Sequence, residues 1–428
     1  MLSHNTAKSS SLTIWFWINC VLLPFLLTGV AAAAGATDTD DTTETSLLPG
    51  TYRILADDGK IEVPFEIFRG DIRFQCTVNG HRVHMLLDDG FMWDQLLFWG
   101  GPAVDSLGLA YDGEIEVGND GTEKLASRTA SGITVTFPGV EFTDQTAVVT
   151  PGSSGNSSMW RGSIGQISAT FFRHFVVDIN FDRMIITLIE PENFKYEGNG
   201  VAIGWQPLGF GPWSIPATLR IEDGRDISMK LLMDLGYNDQ LQLVAGGEHG
   251  ISLPEKRLPA SLGFNIQGTE TRGFVGRLSR IDIGGYRIND LIASFVPGEH
   301  GDHAVYEAMI GLGLLSRFNL VFDYNRQRLF VEPNNSFGTP FEYSMTGFEM
   351  KPTFQGYSII TTVHEQSPAD EAGLRMGDKI LRINGRKITD YDFFELSPMF
   401  KQEGKEIGLL IERDGKEREV SLVLRRVL

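Results

Sequence analysis

Two aspartates, Asp88 and Asp234, each close an apolar run and stand two residues before a glycine. Val83 to Leu87 leads into Asp88-Asp89-Gly90, and Met229 to Met233 leads into Asp234-Leu235-Gly236. An apolar strand ending on a carboxylate in a tight glycine turn puts charge at the end of a buried element, which is expensive unless something uses it. Two such carboxylates, built alike, point to one shared acidic site. The competing arrangements are weaker. His300-Gly301-Asp302-His303 resembles a metal pair, but no third ligand stands at a suitable spacing, so the segment reads as a surface loop. Gly162-Ser163-Ile164-Gly165 lacks the spacing of a nucleophile elbow, and no Ser, His and Asp set can be nominated. No metal and no cofactor are expected.

The elements that must position the two aspartates come from an internal repeat. Adding 146 carries Leu86 to Leu232, Asp88 to Asp234, Gly90 to Gly236, Leu97 to Leu243, Gly139 to Gly285, Pro151 to Pro297, and Ile164-Gly165 to Ile310-Gly311. A constant shift that preserves the glycines and prolines setting backbone geometry implies two similar halves. Each half ends in the same hairpin pattern: Phe175 to Asn180 into Met184 to Leu188, and Asn319 to Asn325 into Leu329 to Val331. Glu190-Pro191 and Glu332-Pro333 then stop the strands.

These residues resemble the signature of the aspartic proteases, in particular the retropepsin-like families of bacteria. That signature is an apolar strand, then Asp-Thr/Ser-Gly, and later in each lobe two apolar residues before a glycine. Leu86-Leu87-Asp88 with Ser163-Ile164-Gly165 matches one lobe, and Leu232-Met233-Asp234 with Met309-Ile310-Gly311 the other. The resemblance covers roughly Ile61 to Pro333. It implies a mainly β fold of two pseudo-twofold-related lobes, 61–197 and 198–333, with Asp88 and Asp234 meeting around one water. Like charges so close share a proton, one carboxylate serving as base on the water and the other donating to the scissile carbonyl, which gives acid-favouring peptide hydrolysis. Asp89, Gly90, Leu235, Gly236, Gly165 and Gly311 would support this dyad, and Val117 to Lys124 and Gln267 to Gly273 are candidate flaps. The chain departs from the family at Asp89 and Leu235, where a hydroxyl normally ties the lobes together. Leucine cannot donate, and a charge on Asp89 would raise the pKa of Asp88. The alternative reading is therefore a catalytically inactive, peptide-binding protein whose protease-like lobes serve as scaffold.

A linker, 334–342, leads to a third unit, 343–428. The ordered run Ser367-Pro368-Ala369, Glu371-Ala372-Gly373-Leu374, Gly377-Asp378-Lys379-Ile380-Leu381 and Ile383-Asn384-Gly385 resembles a PDZ domain of the bacterial protease-associated type, an α+β small barrel with two helices. Such domains bind a polypeptide C-terminus as an added strand. The resemblance implies a carboxylate loop at Phe354, Gln355, Gly356 and Tyr357, with Ile359, Ile360 and Phe394 as groove walls and Asp390 to Phe400 as the groove helix.

The N-terminus carries Lys8, an apolar run from Leu12 to Val30 and the small residues Ala31 to Ala34, the order of a secretory signal peptide over 1–36. An exported, periplasmic or extracellular, protein is expected, and an uncleaved anchor is the alternative and the one route to membrane attachment. Residues 37–60 read as a flexible spacer, with order beginning near Ile61. Cys76 is the lone cysteine after cleavage and reads as a small buried hydrophobe. With 37 basic and 55 acidic residues the net charge is −18, which repels phosphate backbones and argues against nucleic acid as a partner. Because both lobes lie in one chain, a monomer suffices.

Overall fold

The structure is a computed structural model that describes residues 13–14, 51–56, 59–88, 95–117, 125–152, 162–207, 213–264, 270–297, 306–353 and 355–428. The export segment therefore lies outside the described residues, apart from Thr13 and Ile14. Asp89, Gly90, Phe354, the His300 to His303 segment and 118–124 also lie outside them, as do the first residues of the second flap. No helix among the described residues is long and apolar enough to cross a membrane.

The first half begins as an antiparallel ladder of Ile61–Phe68, Asp71–Val78 and His81–Leu87. Alternation makes these strands: Ile61, Val63 and Phe65 are buried while Glu66 is exposed, and Ile72, Phe74, Cys76 and Val78 continue the buried face. Both turns place two residues in left-handed backbone, Arg69-Gly70 at φ 56° and 92° and Asn79-Gly80 at φ 48° and 82°. These tight turns match the twist of the strands they join. Cys76 packs in the core, where burial pushes its thiol up to about 12.

Each half then repeats one connectivity. In the first, His81–Leu87 runs parallel to Ser163–Ile167, which is antiparallel to Leu96–Trp99, itself parallel to Val140–Thr150. In the second, Asp226–Asp234 runs parallel to Ala308–Gly311, which is antiparallel to Leu241–Ala245, itself parallel to Tyr286–Pro297.

A further sheet ties the halves together. Its strands lie in the order Ile61–Phe68, Ile185–Ile189, Val176–Asn180, Phe318–Asp323, Arg328–Pro333 and Val201–Gly204. At its centre Val177 lies opposite Phe322, the residues just before Asp178 and Asp323. Equivalent residues of the two closing hairpins thus pair with each other, so a local twofold runs through that pair. One hydrophobic cluster extends from Ile61 to Phe341 across both halves. Burying a side chain such as Phe318 or Phe322 there contributes about 2–3 kcal/mol.

One expectation needs correction. Residues 51–60 are not all spacer: Thr51–Ile54 is a strand paired with Val140 to Thr143, and Tyr52 packs on Phe142 and Phe175. The linker is pinned as well. Phe337 packs against Phe318 and Tyr286, Arg317 donates to Ser336 O at 2.6 Å, and Phe341 is buried in the main cluster under the Arg317 guanidinium.

The C-terminal unit has its own core, from Met345 to Leu424. Its sheet runs Phe348–Pro352, Ser358–Val363, Lys379–Ile383, Glu406–Arg413 and Lys416–Val423. Pro368–Glu371 is a short helix capped by the Ser367 hydroxyl and closed by Gly373 at φ 73°. Phe393–Phe400 is the second helix, capped by Asp392, and Ile388–Asp390 is a separate 3-10 turn before it. Leu428 leaves this unit and packs in the main cluster.

Candidate active site

Asp88 emerges from the end of His81–Leu87, where its backbone N–H donates to Ile167 O at 3.1 Å. Its carboxyl is buried and accepts from Gln166 Nε2 at 2.9 Å. Asp234 is the last residue of Asp226–Asp234, also buried, and its Oδ1 accepts from the backbone N–H of Gly236 at 2.8 Å. The two motifs meet. A Cβ placed on Gly236 would come within 2.6 Å of Asp88 Oδ1, so the first carboxyl rests on the glycine of the second motif. Only glycine admits that approach. Leu235 is buried and offers no polar atom in its side chain.

The two later glycines do different work. Gly311 pairs with Asp234, and a Cβ there would overlap Tyr237 O and Asp239 O, so it lets the loop after the second aspartate fold tightly over it. Gly165 pairs with Met85, three residues short of Asp88, and lies under the carbonyl of Leu97. Ser163 is already level with His84, two residues short of where its counterpart Met309 sits, and a register shift between Ser163 and Gly165 adds a third, leaving Gln166 and Ile167 level with Leu86 and Leu87. Gly165 therefore packs against the neighbouring strand rather than beneath the first aspartate. Gln166, with 1% of its surface exposed, takes the position beside the carboxyl. Sequence reasoning passed over it, although an amide inside the apolar run Ile164 to Ile167 was a signal, since a buried amide needs partners.

The C-terminal groove also differs from expectation. Ser358–Val363 is paired along its length by Phe348–Pro352, and on its other side Ser358 and Ile359 pair with Ile380 and Lys379. The edge of this sheet is Phe348–Pro352. Residues 353–357 close the hairpin between the two strands: Thr353 N and Oγ1 both donate to Tyr357 O, at 3.1 and 2.6 Å, and the Tyr357 hydroxyl bonds the exposed Gln355. Gly356, at φ 87°, makes that turn possible. Ile359 is half-buried between Lys351 and Lys379 in register, and Ile360, 1% exposed, belongs to the core beside Leu396. Phe394 stands on the helix as expected, half-buried, beside Arg69 of the first half.

Residues 344–424 match the family model described as PDZ domain. The C-terminal unit is a PDZ domain. The chain is also similar to a "Serine protease HtrA-like" protein of Staphylococcus aureus (strain USA300), 24% identical over 272 residues that make up 55% of this chain and 34% of the relative. A "Probable periplasmic serine protease do/HhoA-like" protein of Haemophilus influenzae is 36% identical over 67 residues, 16% of this chain and 14% of its own. The chain thus spans about a third or less of these curated relatives. Among solved structures, an aspartic proteinase from Irpex lacteus aligns with a TM-score of 0.41 at 13% identity, over 65% of this chain and 99% of that one. Basic 7S globulin from soybean aligns at 0.39 and 11%, over 66% of this chain and 97% of its own.

Proposed function

We propose that this chain is an exported peptide hydrolase of the aspartic type, with Asp88 and Asp234 as its dyad and the PDZ domain as a recruiting module for polypeptide C-termini or extended segments. The observation that carries the reading is the seating of the Asp88 carboxyl on Gly236, two residues from Asp234. Two carboxyls held this close, both buried, cannot both ionise freely and share a proton. A water between them gives its proton to the ionised carboxylate as its oxygen attacks the scissile carbonyl carbon, while the protonated carboxyl donates to the carbonyl oxygen. The tetrahedral intermediate collapses as the C–N bond breaks and the amine takes a proton from the dyad. Gln166 provides the donor to Asp88 that a hydroxyl provides in the family, which answers the loss of Thr or Ser at Asp89 and Leu235. A peptide recruited by the PDZ domain would add to the edge strand Phe348–Pro352.

The likeness to HtrA-like serine proteases favours a second reading, a peptide hydrolase of the serine type. Among the described residues, His249 bonds Glu307 through Nδ1 at 2.5 Å, the contact a histidine of such a triad makes with its acid. One experiment separates the readings: cleavage of unfolded casein by the full chain, from pH 3 to 8, with pepstatin or with a serine-directed phosphonate, for the wild type, Asp234→Asn and His249→Ala. Pepstatin-sensitive cleavage lost in Asp234→Asn supports the dyad. Phosphonate-sensitive cleavage lost in His249→Ala overturns it, and folded protein that cleaves nothing leaves the scaffold reading.

A further inference from the structure

The turn between Ile61–Phe68 and Asp71–Val78 touches two other parts of the molecule. Arg69 reaches the PDZ domain, donating through Nε and a terminal nitrogen to Asp392 Oδ2 at 2.9 and 2.7 Å. Its guanidinium lies 5.7 Å from the centre of the Phe394 ring. Asp392 is also the cap of the helix Phe393–Phe400, accepting from Phe394 N at 3.1 Å. Gly70 and Asp71 face the other way. Asn238, its amide oriented by its two acceptors, donates to Gly70 O at 2.9 Å and to Asp71 Oδ1 at 3.0 Å. A Cβ on Gly70 would come within 2.9 Å of Asn238 Cγ. Asn238 stands two residues beyond Gly236, in the loop that Asp234 opens.

The far end of the same helix bears on the same loop. Lys401, the residue after the helix, and Asp239 are both exposed and carry opposite charges that act on one another. Both ends of the groove helix are thus in electrostatic or bonded reach of residues 238–239, one of them through Arg69.

We infer that the Arg69 turn is a clasp that couples occupancy of the PDZ groove to the loop Asp234 to Gln240. An extended peptide on the edge strand Phe348–Pro352 must lie between that strand and the helix Phe393–Phe400. There it meets the face of the helix that carries Phe394, which Arg69 covers. Arg69 is itself mostly covered, with 11% of its side chain exposed, so its two bonds to Asp392 are screened less than those of a surface pair. Seating the peptide displaces Arg69, and the turn that holds Asn238 loses its anchor on the PDZ side. The coupling runs both ways: whatever opens the clasp tightens the groove for peptide by the factor by which peptide opens the clasp. Its consequence for catalysis rests on the aspartic reading above. The coupling of groove to loop does not.

The test uses the full chain as wild type, Arg69→Ala and the near-isosteric Asp392→Asn. Hydrogen exchange of backbone amides in 235–245 should quicken about fivefold or more in both variants; unchanged protection in both overturns the clasp. The second measurement uses an array of ten-residue peptides with free carboxylates and apolar last residues, the best binder to the wild type then being titrated into each protein. It should bind Arg69→Ala about 5- to 10-fold tighter, and equal or weaker binding overturns the competition between peptide and Arg69. A wild type without pepstatin-sensitive cleavage removes the aspartic reading and leaves both measurements decisive for the clasp.

Discussion

The surroundings of Asp88 and Asp234 differ more than their sequences do. Asp234 is held from within its own loop, by the N–H of Gly236, with Gly311 level beside it. Among the described residues, Asp88 accepts from the side chain of Gln166, on a strand that at Gly165 sits three residues out of step with its counterpart in the second half. Backbone support is fixed by the turn itself and survives any side-chain change. The bond from Gln166 depends on one amide. The counterpart of Gln166 in the second half is Leu312, which has no amide to offer Asp234, a difference that suits a pair in which the two members have different tasks.

Four changes would break or sharpen this contrast. Gly236→Ala strikes where the halves meet. Its Cβ overlaps the Asp88 carboxyl, so kcat/KM should fall about 100-fold or more while circular dichroism stays native. The closing hairpins carry the same asymmetry at Asp323 and Asp178. Asp323 is fully buried and accepts from Arg328 at 2.8 Å and Arg326 at 3.2 Å, so Asp323→Asn should lower stability by about 2–3 kcal/mol in urea unfolding.

Gln166→Ala should lower kcat about 10-fold. Because the lost bond favoured the charged carboxylate, the acid limb of the pH profile should move to higher pH, a change that a purely structural role would not produce. Asp178 shows the smallest effect. Burial, only partly offset by Arg183, raises its carboxyl to about 6, so the folded state prefers it neutral. Its contribution is complete below the unfolded value near 4 and is lost as pH rises through about 6. Asp178→Asn should stabilise the protein at pH 7.5 by on the order of 1–3 kcal/mol and leave it nearly unchanged at pH 4, measured by thermal unfolding at both.

The repeat and its two aspartates were legible because glycine and proline positions report backbone geometry directly. The register shift was not, since Ser163-Ile164-Gly165 reads like Met309-Ile310-Gly311 and the difference lies in how the strand sits against Met85. The PDZ motifs were equally plain, but which strand forms the edge of that sheet was not. Whether Ser358–Val363 has a free edge depends on spatial neighbours, and sequence order does not give them. Thr51–Ile54 escaped because its side chains are mostly exposed, so its pairing leaves no apolar alternation. Arg69 reads as nothing more than a turn residue before glycine; its partner Asp392 stands 323 positions away.

Phe341 and Leu428 flank the PDZ domain in the chain, and both are rooted in the hydrophobic cluster of the preceding halves. A module sewn to its neighbour at entrance and exit cannot swing like a bead on a string. Its freedom reduces to a rocking about the line through those two stitches, with the Arg69 turn at the rim, where a small tilt travels farthest.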